Sequence, residues 1–110
     1  MNINFKIATE EHVEDIIKLC NECFKEETDI EFAKEVFKKT KNDPNQIYLI
    51  GVVNEEIVAH TKITIVPTMF VNMENYAILN HVCVKGEYRR HKLGTIMLDI
   101  INKICIEKKC

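Results

Sequence analysis

The chain has 110 residues, with 15 lysines and arginines against 17 aspartates and glutamates and a formal net charge of -2. That length holds one core and not two, and the near balance of charge argues against general binding to nucleic acid or to an anionic membrane. No apolar run reaches the roughly 18 residues of a membrane helix, and the start, MNINFKIATEE, lacks the charged-then-apolar order of a secretory leader. The expectation is a single cytoplasmic domain over residues 1–110.

INFKIA alternates and reads as a strand. Thr9 suits an N-cap, Glu10 and Glu11 suit the positive end of a helix, and Val13, Ile16, Ile17, Cys20 and Phe24 share one face over residues 10–25. Cys20 and Cys23 form a C-x-x-C, a spacing also found in zinc and redox sites. Cys20 lies on the apolar face and no second ligand pair follows, so the pattern reads as core and no metal is expected. Five cysteines, an odd number without a leader, point to free thiols.

A second helix starts at TDIE, with Thr28 and Glu31 as a capping box; Ala33, Val36 and Phe37 mark its apolar face, and Pro44 lies beyond its end. QIYLIGVVN is almost wholly apolar, the mark of a strand covered on both faces. After a tight turn at NEE, IVAHTKITIV alternates, with Ile57, Ala59, Thr61, Ile63 and Ile65 on one face and His60, Lys62 and Thr64 on the other. His60 and His12 read as surface residues. The connector 67–76 carries Met69, Phe70, Val71 and Met73, which either pack on a neighbour or line a cleft.

A strand from Ala77 to Val84 then runs into a turn holding Lys85, Arg89, Arg90, His91 and Lys92, and a helix from about Lys92 keeps Leu93, Ile96, Met97, Ile100, Ile101, Ile104 and Cys105 in register. The order is β-α-α-β-β-β-α. Cations at a helix N-terminus oppose the macrodipole, and they make sense where an anion sits among them on the unpaired N–H groups; pyrophosphate is the natural candidate. Gly94 lets the backbone approach a ligand or the sheet. A solvated basic loop is the alternative, and the nucleotide P-loop needs more glycines than occur here.

VCVKGEYRRHKLGTIML resembles the acetyl-CoA motif of the GNAT superfamily of N-acetyltransferases, in which an apolar strand leads to an R/Q-x-x-G-x-G/A loop and a helix. Arg89 matches the first position, Leu93 and Gly94 the end, and Tyr88 the usual preceding residue; Lys92 replaces the middle glycine. The longer stretch AILNHVCVKGEYRRHKLG is most similar to the glucosamine-phosphate N-acetyltransferase branch. The resemblance implies an α+β fold, α/β/α-layered around a central mixed sheet. It also implies a domain that continues past this helix with a strand, another helix and more strand, whereas this chain stops at Cys110.

The same resemblance implies direct transfer of acetyl from acetyl-CoA to a small primary amine. Backbone groups of Val82, Cys83 and Val84 would hold the pantetheine arm, and N–H groups of Arg90, His91, Lys92, Leu93, Gly94 and Thr95, with Arg89, the pyrophosphate. Relatives often carry a catalytic glutamate where this sequence has Asn80, which can orient water but cannot act as a base. His81 is the alternative base, although neighbouring strand residues face opposite sides. Cys83 has no evident activating pair. The tyrosine that relatives commonly use as acid would fall beyond Cys110. A non-catalytic CoA-binding or interaction module, or a remnant of an acetyltransferase, therefore remains an alternative, as does a small nucleotide-binding regulator. The expected partners are acetyl-CoA and the amine, with neither nucleic acid nor membrane, and a second copy of the chain as a possible means of completing the sheet. Loop acids such as Glu27 and Glu74 are candidates to meet a cationic acceptor.

Overall fold

The computed structural model describes residues 2–70 and 74–110. Strand β1 (Asn4–Ile7) is followed by a 3-10 turn (Glu10–His12), helices α1 (Val13–Phe24) and α2 (Ile30–Thr40), strands β2 (Gln46–Val53), β3 (Glu56–Val66) and β4 (Tyr76–Val84), a second 3-10 turn (Gly86–His91) and helix α3 (Leu93–Glu107). This is the expected order. The sheet runs β1-β2-β3-β4 and every pairing is antiparallel. The expectation of a mixed sheet is corrected to that extent: among the described residues no strand pairs in parallel.

The layers follow from which residues each strand turns up and down. Ile50 packs with Val13, Ile16, Leu19 and Cys20 of α1 and Phe37 of α2. Its neighbour Leu49 points the other way, to Met97 and Ile101 of α3. A strand buried on both faces needs an apolar residue at nearly every position, which is why QIYLIGVV shows no alternation. Among the described residues, no helix is long and apolar enough to cross a membrane.

Three local expectations change. The 10–25 helix opens as a 3-10 turn, in which the Thr9 N–H donates to His12 Nδ1 at 2.9 Å, so His12 closes the helix start rather than merely lying on the surface. Asp29, not Thr28, caps α2: its carboxylate accepts from the Phe32 N–H at 2.8 Å, while the Thr28 N–H is held by Asn21 Oδ1 at 3.0 Å. In β3, Val58 is an extra residue between the Ala59–Gly51 and Ile57–Val52 pairs. A bulge of this kind reverses the alternation beyond it. Ile57 therefore joins the α1 side and Val58 the Leu93 side, so Ile57 does not share the face of Ala59, Ile63 and Ile65.

The β2–β3 turn is tight, as expected: Asn54 and Glu55 take φ values of 47 and 67, the left-handed pair of a two-residue hairpin loop. Near it, Gly51 has no room for a side chain. A Cβ there would lie 2.8 Å from a Phe5 ring carbon, 3.0 Å from an Ile3 methyl and 3.2 Å from the Ala59 Cβ, which has no rotamer to escape into. Gly51→Ala is expected to destabilise the chain by about 1–3 kcal/mol through overpacking. A denaturant midpoint unchanged from wild type would show that β1 yields without cost.

Candidate active site

Strand β4 is an edge strand with a fault in it. His60 pairs with Cys83 and Lys62 with Asn80, which leaves His81 and Val82 together opposite Thr61. The Thr61 hydroxyl donates to the Asn80 carbonyl at 3.2 Å, and His81 sits at φ 51, a left-handed conformation that costs a non-glycine residue roughly 1–2 kcal/mol. Residues held in such conformations concentrate at functional sites. The bulge overturns the expectation that Asn80 and His81 face opposite sides: both line one cleft between the α1–α2 pair and the sheet.

That cleft has a volume of about 340 Å³. Its walls are apolar, with Ile16, Ile17, Phe32, Val36, Phe37 and Tyr48, and its polar groups come from Thr28, His60, Lys62, Asn80 and His81. Tyr48 is fixed by a 2.8 Å hydrogen bond between its hydroxyl and that of Thr40, and Lys62 donates to Gln46 Oε1 at 2.7 Å. A roomier hollow of about 500 Å³ is lined by Thr9, Glu10, Glu11, Lys34 and Lys38 and carries no comparable set of groups.

His81 is held by a residue the sequence did not single out. Its Nε2 lies 2.9 Å and 3.2 Å from the two carboxylate oxygens of Glu26, and its ring meets Phe24 edge-on at 4.9 Å between centroids. A carboxylate on one ring nitrogen fixes the orientation of the ring, the support a positioned base needs. Glu26 follows the left-handed end of α1 at Lys25 (φ 54), which turns the chain back towards β4. No spacing rule marks such an acid among its neighbours Glu22 and Glu27.

The basic turn proves divided. Lys85 is paired with Glu56 and lies 3.9 Å from Glu87; the Glu56 carboxylate holds its ammonium pKa above that of an ordinary lysine, so it is neutralised locally. Arg89 turns back, its Nε donating to the Val84 carbonyl at 3.0 Å. That carbonyl also receives the Cys23 thiol at 3.8 Å, so of the three β4 residues expected to offer backbone groups, Val84 has its oxygen already taken. Arg90, His91 and Lys92 are exposed, and among the described residues neither arginine nor Lys92 forms an ion pair.

Lys92 precedes α3 in the left-handed region, at φ 58 and ψ 23, and offers no side-chain cap. Glycine adopts that conformation freely, a physical reason for glycine at this place in the motif. With no cap, the first-turn N–H groups of Leu93, Gly94 and Thr95 are left to an outside acceptor. Among the described residues a Cβ on Gly94 would meet nothing within 4 Å, so packing against them does not require glycine there. The space above the helix start is open, and it is lined by donors and cations suited to a pyrophosphate.

Cys83 is buried, and its thiol pKa is pushed well up, first by its hydrogen bond with the Cys20 thiol and then by burial, so it is no thiolate nucleophile. His60 is not a surface residue: it is 4% exposed because β3 is covered on both faces. The connector leaves Met69 and Phe70 exposed at 88% and 64%, covering nothing; Val71 and Met73 lie outside the described residues.

Comparison with known proteins agrees with this geometry. The chain superposes on a transcriptional regulator from Bacillus halodurans C-125 with a TM-score of 0.87 and 19% identity, covering 99% of this chain and 77% of that one. It superposes on the glucosamine-6-phosphate N-acetyltransferase from Arabidopsis thaliana with a TM-score of 0.85 and 14% identity, covering 100% and 78%. A predicted acetyltransferase with acetyl-CoA from Clostridium acetobutylicum gives 0.77 and 15%, covering 96% and 75%. At these identities the likeness is one of fold. A search of curated proteins finds no match. The sequence profile of the Acetyltransferase (GNAT) family matches residues 13–110, from the first turn of α1 through β4, the basic turn and α3, and the chain belongs to that family.

Proposed function

We propose that this chain is an acetyl-CoA-dependent N-acyltransferase that passes an acetyl group directly to a primary amine bound in the cleft. One observation carries the reading: the C-terminal part of β4 holds the Glu26-bound His81 at the cleft and leads, through the turn Gly86–His91, straight into an uncapped and basic helix start. Acetyl-CoA supplies an acetyl group activated as a thioester.

The chain's own residues do the rest. The N–H groups of Leu93, Gly94 and Thr95, with Arg90 and Lys92, hold the pyrophosphate. The unpaired outer edge of β4 around Val82 and Cys83 takes the pantetheine arm. A β4 N–H placed at the developing oxyanion is worth roughly 3–4 kcal/mol. His81 removes the amine proton, and Glu26 stabilises the imidazolium that results; Asn80 orients the amine or a water. The apolar walls suit an acceptor with an apolar body, while among the described residues Lys62 is the only lysine or arginine lining the cleft.

Asn80, in place of the glutamate often found in relatives, favours a second reading, a CoA-binding module without turnover. A second copy could complete the sheet along β4, where Ile78, Leu79 and Val82 are exposed at 45%, 38% and 41%.

The test is calorimetric titration with acetyl-CoA, with the mass in solution recorded alongside and an amine screen following. Micromolar binding by wild type is expected. Replacing Arg90 and Lys92 together with alanine is expected to weaken it tenfold or more, since a charge-assisted hydrogen bond contributes about 1.5–3 kcal/mol. Equal affinity of the two proteins would remove the pyrophosphate assignment, and binding without turnover would favour the second reading.

A further inference from the structure

The cleft has a floor that acetyl transfer does not use. Cys20 of α1, His60 of β3 and Cys83 of β4 converge there, all three buried, with their ligand atoms within 4.8 Å of one another. They come from positions 40 and 63 residues apart, counted from Cys20. The Cys20 Sγ stands 4.0 Å from the Cys83 Sγ and 3.7 Å from the His60 Nδ1. Among the described residues, His60 Nε2 is buried with no hydrogen-bond partner.

We propose that Cys20, His60 and Cys83 form a buried zinc site tying α1 to β3 and β4. The separations suit the ion. With Zn–S near 2.3 Å and Zn–N near 2.0–2.1 Å in a tetrahedron, bound sulfurs stand about 3.8 Å apart and sulfur and nitrogen about 3.6 Å apart. The two separations from Cys20 lie close to these, and all three ligand atoms lie within 4.8 Å of one another. Two thiolates and a neutral imidazole around Zn²⁺ carry no net charge, so the bound site is compatible with burial. Binding releases the two thiol protons to solvent, and no electron is transferred.

One further thiol lies close by on the same helix: Cys23, three residues beyond Cys20, whose Sγ donates to the Val84 carbonyl at 3.8 Å in the metal-free chain. The C-x-x-C that reads as core from sequence then has its missing partners on two strands.

The test reads metal and not activity, so it stands apart from the acetyltransferase assignment. The whole chain, prepared under reducing conditions without chelator, is analysed for zinc by mass spectrometry, then stripped and titrated with Co²⁺. One equivalent of zinc is expected, with intense visible Co²⁺ bands of a tetrahedral site, a near-ultraviolet thiolate charge-transfer band, and a Tm higher by about 10 °C with excess zinc. Cys20→Ser and Cys83→Ser are expected to lose the bands, while Cys105→Ser, on the opposite face of the sheet, keeps them. Should the serine variants fail to fold, the wild-type cobalt spectrum still decides. A folded wild-type chain with no thiolate band overturns the proposal. So does a band that persists in folded Cys83→Ser, or air oxidation of the metal-free cluster to a Cys20–Cys83 disulfide with no zinc bound before it.

Discussion

His81→Gln is expected to lower kcat for acetyl transfer by about 10²- to 10³-fold, the usual contribution of a positioned base, while acetyl-CoA affinity stays within about twofold. The argument is geometric. The bulge at His81–Val82 turns the ring into the cleft, and the two Glu26 oxygens at 2.9 Å and 3.2 Å and the edge of Phe24 fix its orientation. Glutamine keeps a polar group of similar reach but cannot accept and release a proton at neutral pH. Glu26→Gln acts through His81, so a smaller fall is expected, about tenfold, in kcat rather than KM. A kcat for His81→Gln within threefold of wild type would reject the base assignment. If Asn80→Ala were then the damaging change, a water held by Asn80 would take its place.

The second large effect has opposite signs in two measurements. Gly94→Leu is expected to stabilise α3 by about 0.5–1 kcal/mol, since leucine is the better helix former by that amount and a Cβ at this position meets nothing within 4 Å. The same side chain fills the space above the helix start and is expected to weaken acetyl-CoA binding at least about fivefold, the lower end of an overpacking cost of about 1–3 kcal/mol. Gly94→Ala should leave affinity within a few-fold, as the G/A alternation of the motif implies. A chain stabilised by Gly94→Leu with undiminished affinity would place the pyrophosphate elsewhere. A destabilised chain would mean that the start of α3 tolerates less than its open surroundings indicate.

What sequence made legible, and what it hid, has a physical pattern. Element order followed from apolar period, because each strand and helix presents whole faces to one of two cores. The basic turn followed from charge placed against a helix dipole. The bulges at Val58 and at His81–Val82 were not legible, because an extra residue in a strand changes no composition and breaks alternation only for the residues beyond it. They hid the shared orientation of Asn80 and His81 and the true face of Ile57. His60 reads as exposed because alternation in β3 implies one wet face, whereas helices cover both. Thr28 and Asp29 are both good caps, and tertiary bonds decide between them: the Thr28 N–H donates to Asn21 Oδ1, and Asp29 accepts from the Phe32 N–H. Glu26 is one acid among several, distinguished only by where the end of α1 points. Cys20, His60 and Cys83 meet through tertiary contact alone.

The connectivity of the sheet also sets an order for assembly. β2, β3 and β4 follow one another as a meander, and the Val53–Glu56 pair closes over two residues. β1 reaches β2 only after the chain has gone through both α1 and α2, as the pairing of Ile7 with Leu49 requires. Closing that longer loop costs about 2–3 kcal/mol more in chain entropy than closing the hairpin. Local contacts of the meander therefore form at the smallest entropic cost, and β1, only four residues long, gains its place after the helices have docked. The cleft, whose roof is α1 and α2 and whose floor is β3 and β4, is thus closed when the helices dock on the finished meander, before β1 completes the sheet.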